Sequence, residues 1–292
     1  MGMHHPESPD RLTVIEDYLL AIGLVQHLIT EIAPKASNEQ LLRVHDAGYI
    51  ESVAGASPLI GLVHLDPDTA MNQHTLSAAL RAAGAVVKAT EMVVGGQVEN
   101  AFCNVRPPGH HACRGRSMGF CFFNNVAVGA AHALEALGLQ RVAIVDFDVH
   151  HGNGTEDIFD ADPRVMMVST FQHPFYPYSG TEGRSGRMVN IPLAAYSGGV
   201  QFRKVVEEIW LPALNEFEPQ IVFISAGFDA HRDDEMASLA LVEADYAWVT
   251  KQIMDVAARH ADGRIVSTLE GGYNLQALAR SVAVHIRELC GI

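Results

Sequence analysis

Short apolar runs bounded by polar, glycine or proline residues recur along the chain. Ala101 to Val105, Val142 to Asp146, Val165 to Thr170, Ile221 to Ala226 and Ile265 to Leu269 each predict a buried strand. Between them the period changes. Leu76, Ala79, Leu80, Ala83, Val86 and Val87 fall at helical spacing within Thr75 to Val94, Asn125 to Leu137 repeats the pattern before Gly138, and Asn274 to Leu289 predicts a C-terminal helix. Arg184 to Tyr196, punctuated by Gly186 and Pro192 and preceded by Gly183, reads as an irregular excursion. Strands alternating with helices predict a parallel sheet covered on both faces, a doubly wound α/β domain. No linker, internal repeat or charge block divides it.

Composition narrows the picture modestly. The 292 residues, 48% hydrophobic and 18% charged, fit one large α/β domain and exclude a disordered or low-complexity chain. Twenty Lys and Arg against thirty-four Asp and Glu give a formal charge of −14, which argues against a nucleic-acid or other phosphate-binding surface and favours cationic or neutral partners. The four cysteines lack CxxC spacing, and the opening MGMHHPESPDRL has no apolar run suited to a signal peptide or membrane span. Pro6 stands where a myristoylation signal needs Ser or Thr. A reducing cytoplasm and no membrane partner are the expectations.

Ligands of open parallel sheets bind beyond the carboxyl ends of the strands, so the polar residues there carry the candidate chemistry. Arg106-Pro107-Pro108-Gly109-His110-His111 presents adjacent histidines from a stiffened turn, an arrangement better suited to proton transfer than to a solvated loop. After the run Val142 to Val145, Asp146, Asp148 and His150 alternate with Phe147 and Val149, so in an extended chain two carboxylates and an imidazole share one side and suggest a metal site. A purely structural explanation would need both carboxylates satisfied by hydrogen bonds at the end of a buried strand, which is costly. Asp229, in Ser225 to Asp234, would alone read as a turn or cap residue, but beside the preceding motif it becomes a candidate ligand. Tyr273 follows the glycine pair of Glu270-Gly271-Gly272 and is either a packed aromatic or a donor to a developing oxyanion.

Taken in order and at these separations, RPPGHHA, GFCFFNN, DFDVHHGNGT, SAGFDAHRDD and LEGGYNL resemble the zinc-dependent deacetylases of the histone deacetylase and acetylpolyamine amidohydrolase superfamily, most closely the class II-like bacterial members. The resemblance extends from His5-Pro6-Glu7-Ser8-Pro9 to the C-terminal helix. It implies a single domain with the arginase/deacetylase fold, a central parallel sheet of about eight strands, and Zn²⁺ held by Asp148, His150 and Asp229. Three protein ligands leave a catalytic position open, and two carboxylates also tolerate Fe²⁺ or Co²⁺. By the same resemblance His110 and His111 are the proton-transfer pair, with His111 the general base, and Tyr273 is the oxyanion donor. Asp146 and Asn153 then orient His110 and His111. Asn153, where some members carry Asp, should leave His111 with a lower pKa than a carboxylate would.

The resemblance further implies a K⁺ ion near Asp146 and Asp148, with Ser169 as a further ligand. It places the substrate stem between Phe120, beside Gly119, and an aromatic of Phe175-Tyr176-Pro177, taken as Tyr176, with Gly271 and Met236 also facing the substrate. An apolar Met236, where dedicated polyamine deacetylases have an acid, favours acyl-lysine, although Glu235 beside it could attract a cationic amine. The family's first strand has no counterpart in the four residues before His5, so a longer native N-terminus or a trimmed domain is expected. The leading expectation is therefore removal of acetyl or another acyl group from Nε-acyl-lysine, with acetylated polyamines as the alternative substrate. A binuclear manganese ureohydrolase would need more carboxylate ligands, and a degenerate binding module would have lost a chemical residue. Oligomeric state is left open.

Overall fold

A computed structural model describes residues 1–2, 5–182 and 186–292. In chain order the regular elements are α1 (Asp10–Ala21), α2 (Asn38–Leu42), α3 (Ala47–Gly55), β1 (Val63–His64), β2 (Ala70–Met71), α4 (Thr75–Val94), β3 (Asn100–Cys103), α5 (Asn125–Glu135), β4 (Val142–Asp146), α6 (Asn153–Phe159), β5 (Val165–Gln172), β6 (Met188–Leu193), α7 (Gly199–Val205), α8 (Leu211–Phe217), β7 (Ile221–Ala226), α9 (Glu243–His260), β8 (Ile265–Leu269) and α10 (Leu275–Leu289). Six strands form one sheet in the order β3-β8-β7-β4-β5-β6. Every pairing in it is parallel.

The core explains why the central strands are continuously apolar. Along β4, Val142 and Ile144 pack into one hydrophobic layer while Ala143 and Val145 enter the other, and Ile221, Phe223 and Val222, Ile224 of β7 divide in the same way. One layer is covered by α4 and α5, the other by α8, α9, α10 and α1. The six-strand sheet corrects the expectation of about eight: the other two strands are β1 and β2, a short antiparallel pair outside it. Arg184 to Tyr196 is a second correction. Gly183, Arg184 and Ser185 lie outside the described residues, but Met188–Leu193 forms β6. Its Pro192 is tolerated because β6 is an edge strand, where a missing N–H disrupts only one side of the ladder.

Smaller differences concern ends. The strand expected over Ala101 to Val105 runs Asn100–Cys103, and that expected over Val165 to Thr170 continues to Gln172. The helix read as Asn125 to Leu137 stops at Glu135, and Asn274 is the cap of α10, its side chain accepting from Ala277 N at 3.0 Å. From β4 the chain builds outward through β5 to β6, then returns to β7 and β8 on the other side. The order therefore reverses between β4 and β7, and a crevice forms at their carboxyl ends.

Candidate active site

The β4 ladder ends at Asp146, yet its alternation persists. Phe147 and Val149 remain in the core at 1% and 0% exposure, while Asp148 and His150 emerge with Asp146 on the opposite side. Asp229, three residues beyond β7, meets them across the crevice. One ligand atom each from Asp148, His150 and Asp229 lies within 4.8 Å of the others, and all three residues are buried. His150 Nδ1 is 3.0 Å from Asp148 Oδ1 and 3.3 Å from Asp229 Oδ2.

The donor set fits a divalent cation. Asp229 Oδ2 is buried without a hydrogen-bond partner. Burial and the Asp148 charge push the Asp229 carboxyl up to about 6, while His150 works in the opposite direction. Gly271 completes the cradle: a Cβ there would press against Asp229 Oδ2 and Asp148 Oδ2. Its N–H donates to Asp148 Oδ2 at 2.8 Å, His150 N donates to Asp148 Oδ1 at 2.8 Å, and Val149 N donates to Asp229 Oδ1 at 2.9 Å, so backbone donors anchor both carboxylates.

The histidine turn is fixed from two sides. Asn124 caps α5 and donates to Ala112 O at 3.2 Å, and Asn125 Nδ2 donates to Pro107 O at 3.1 Å. Glu270 Oε2 accepts from Gly109 N and His110 N at 2.6 and 3.1 Å. His110 Nδ1 then lies 3.0 Å from Asp146 Oδ2, and His111 Nδ1 lies 2.7 Å from Asn153 Oδ1. The two rings pack 4.1 Å apart, centroid to centroid.

The histone deacetylase domain profile matches residues 5–289. The chain belongs to the histone deacetylase family. A probable deacetylase of Archaeoglobus fulgidus is 40% identical, across 93% of this chain and 77% of its own. A histone deacetylase-like amidohydrolase of Pseudomonas aeruginosa is 37% identical, across 99% and 77%. The crystal structure of the HDA15 HD domain superposes with a TM-score of 0.93 at 35% identity, covering all of this chain and 84% of that one. The family establishes a hydrolase acting on amides, and the fold is that of a histone deacetylase domain.

Electrostatics separates the two histidines of this histone deacetylase fold. Burial opposes a charge on His110, but Asp148 and Asp146 outweigh it and raise the ring to about 10. Burial also lowers His111, and the neighbouring His110 and His150 push it further, well below its ordinary value. Burial and the two neighbouring imidazoles are the causes of this shift. The Asn153 hydrogen bond works in the opposite direction. Burial keeps the Tyr273 phenol protonated.

These groups meet in a cavity of about 140 Å³ lined by His110, His111, His150, Gly119, Phe120, Phe175, Tyr176, Met236, Gly271 and Tyr273, together with Pro108 and Asp68. All the residues expected to face substrate are therefore on its wall. Phe175 joins them, stacked on His150 at 5.5 Å, whereas Tyr176 sets its edge against His111 at 5.3 Å. Gly119 has φ +57°, and a Cβ there would collide with the His111 ring.

Sequence reasoning gave no role to four residues that shape this site. Glu270 belongs to the LEGGYNL motif, but only the fold shows its carboxylate beneath the histidine turn, where burial raises it to about 7. Asp234 Oδ2 accepts from Tyr273 N and Asn274 N at 2.6 and 2.9 Å. Arg11 reaches the same loop from α1. Asp68, from the turn between β1 and β2, lies at the cavity wall, and burial with neighbouring Asp66 pushes it up to about 6. Ser169 lies opposite Asp146 in register, and its hydroxyl is buried without a partner.

Proposed function

We propose that the protein is a zinc-dependent deacylase that hydrolyses the side-chain amide of Nε-acyl-lysine, acetyl being the simplest acyl group. The observation that carries this reading is the aromatic-walled cavity lined by His111, His150 and Tyr273, of which His150 also belongs to the buried cluster with Asp148 and Asp229. Its aromatic residues suit a linear alkyl stem passing Phe120 and Tyr176.

Asp148, His150 and Asp229 would hold the cation, which supplies Lewis acidity toward the amide carbonyl and a water molecule. His111, kept neutral, accepts the water proton at Nε2 while Nδ1 faces Asn153 Oδ1, and then passes the proton to the leaving amine. His110 remains charged against Asp146 and contributes a fixed positive field. The Tyr273 phenol donates to the oxygen that gains charge as the carbonyl carbon becomes tetrahedral. The Asp146 and Asp148 carboxylates with the unpartnered Ser169 hydroxyl also fit the monovalent cation, K⁺, that the resemblance implies.

A second reading, acetylated polyamine as substrate, is favoured by one observation: the Asp68 carboxylate on the cavity wall. Apolar Met236 on the same cavity favours the peptide. The test is amine release from an acetyl-lysine peptide and from acetylated putrescine or spermidine, side by side, with metal-free and zinc-reconstituted enzyme. Zinc-dependent turnover of the peptide is expected, falling in Tyr273→Phe with metal content unchanged. Preference for the polyamine would move the function to small amines, and unchanged turnover in Tyr273→Phe would reject the oxyanion role.

A further inference from the structure

The base needs one particular tautomer. If His111 Nε2 is to accept a proton, Nδ1 must carry one and donate it, so Asn153 has to present Oδ1 to the ring. An amide side chain rotated by half a turn presents Nδ2 instead, makes Nδ1 the acceptor, and leaves a proton on Nε2. A carboxylate at this position has no such ambiguity, because both its atoms accept. With Asn, something must choose the face.

Two sulfurs stand on the far side of the amide. Asn153 Nδ2 is 3.2 Å from Met118 Sδ and 3.4 Å from Cys113 Sγ. A thioether can only accept a hydrogen bond. The Cys113 thiol can do either, but its proton is directed at His111 O, 3.6 Å away, which leaves the sulfur lone pairs toward Asn153. Rotation of the amide would therefore exchange two N–H···S contacts for an oxygen facing sulfur lone pairs. The loop is built to hold both sulfurs there. Cys113 pairs with Arg116 and Met118 with Cys121 in consecutive tight bridges, and Asn153 N is tied to His151 O at 2.8 Å.

We infer that Met118 and Cys113 are positioning residues that lock the Asn153 amide and thereby set the proton-accepting tautomer of His111. The inference rests on the proposed role of His111 as base. It assigns the sulfurs no contact with substrate; they act through Asn153, and their importance exists only because residue 153 is an amide.

The test combines a spectroscopic and a kinetic readout. In ¹⁵N-histidine-labelled protein, with the His111 signals assigned by their loss in His111→Asn, His111 is expected to show a protonated Nδ1 and an unprotonated Nε2. Met118→Leu, and more so Met118→Leu with Cys113→Ala, is expected to mix the two tautomers. Losing one weak hydrogen bond corresponds to about a three- to tenfold lower kcat with KM unchanged. In an Asn153→Asp background the same Met118→Leu change is expected to cause no loss. An equal loss in both backgrounds, or an unaltered His111 tautomer in the double sulfur variant, would overturn the inference. Absence of amide turnover in the unsubstituted enzyme would instead reject the function, and the tautomer measurement would still decide the role of the sulfurs.

Discussion

The guanidinium of Arg11 lies over the ring of Tyr273, 4.9 Å from its centroid, while its Nε donates to Gly272 O at 2.7 Å and one Nη donates to Glu270 O at 2.5 Å. A fully buried arginine on the first helix thus fixes both the backbone before the phenol and the face of its ring. Glu7 lies between Arg11 and Arg106, at 3.5 and 2.5 Å, so the charge is shared across the start of the chain and the histidine loop. Arg11→Met keeps the stem but leaves two carbonyls without donors. It should cost about 3 kcal/mol of stability. Thermal unfolding checks that cost. The accompanying loss should appear in kcat with metal content intact, because Arg11 touches the Tyr273 loop and Glu7 and none of Asp148, His150 and Asp229.

Asp229→Asn tests the metal set. The amide preserves shape and can still accept from Val149 N. It removes one of two negative charges from the triad, and it places an N–H where a ligand oxygen stood. Metal affinity should fall at least about tenfold, as ligand and outer-shell losses commonly do. Zinc content after dialysis, read by elemental analysis, should drop while the circular dichroism spectrum is retained. Full occupancy in the variant would remove Asp229 from the ligand set.

The central strands and the polar residues clustered at their ends were legible because each strand is buried on both faces, so a pure apolar run followed abruptly by Asp, His or Gly leaves little ambiguity. Val142 to Asp146 and Ile221 to Ala226 show it, their bounds matching the structure. The edge strand Met188–Leu193 was not legible, since an exposed edge tolerates Pro192 and a partly polar sequence. Local pattern also could not bring Arg11 to Tyr273, 262 positions away, nor place the Glu270 carboxylate under Gly109. Those contacts depend on how α1 packs against α10 and how the histidine turn meets the loop after β8, which are properties of the assembled fold.

His45 gives the fold a pH dependence away from the catalytic groups. Its Nδ1 lies 3.0 Å from Cys113 O and its Nε2 accepts from Asn124 N at 3.0 Å, which defines a neutral ring with the proton on Nδ1. Burial lowers it to about 4 from an ordinary 6.5. Because the folded value is depressed, the unfolded chain binds the proton first as pH falls. Stability is therefore intact above pH 6.5 and declines below it by about 1.4 kcal/mol per pH unit until roughly pH 4. His45→Gln should flatten that part of the profile. Denaturant unfolding of both proteins between pH 7 and pH 4.5 measures the difference, and parallel curves would exclude His45 as its source.

Substrate selection should respond to charge on the cavity wall. Met236 and Asp68 both line the cavity, so Met236→Glu adds a second carboxylate to a wall that already holds one. A polyamine carries cationic nitrogens beyond its acetylated end and gains from that field, whereas an acyl-lysine stem loses an apolar contact. A new charge several ångströms away in a partly solvated mouth contributes about 1 kcal/mol, screened by salt. Polyamine kcat/KM relative to peptide kcat/KM should therefore rise about fivefold to tenfold at low ionic strength and shrink as salt is added. An unchanged ratio would mean that residue 236 does not face the distal part of the substrate, and selection would then rest with Asp68 alone.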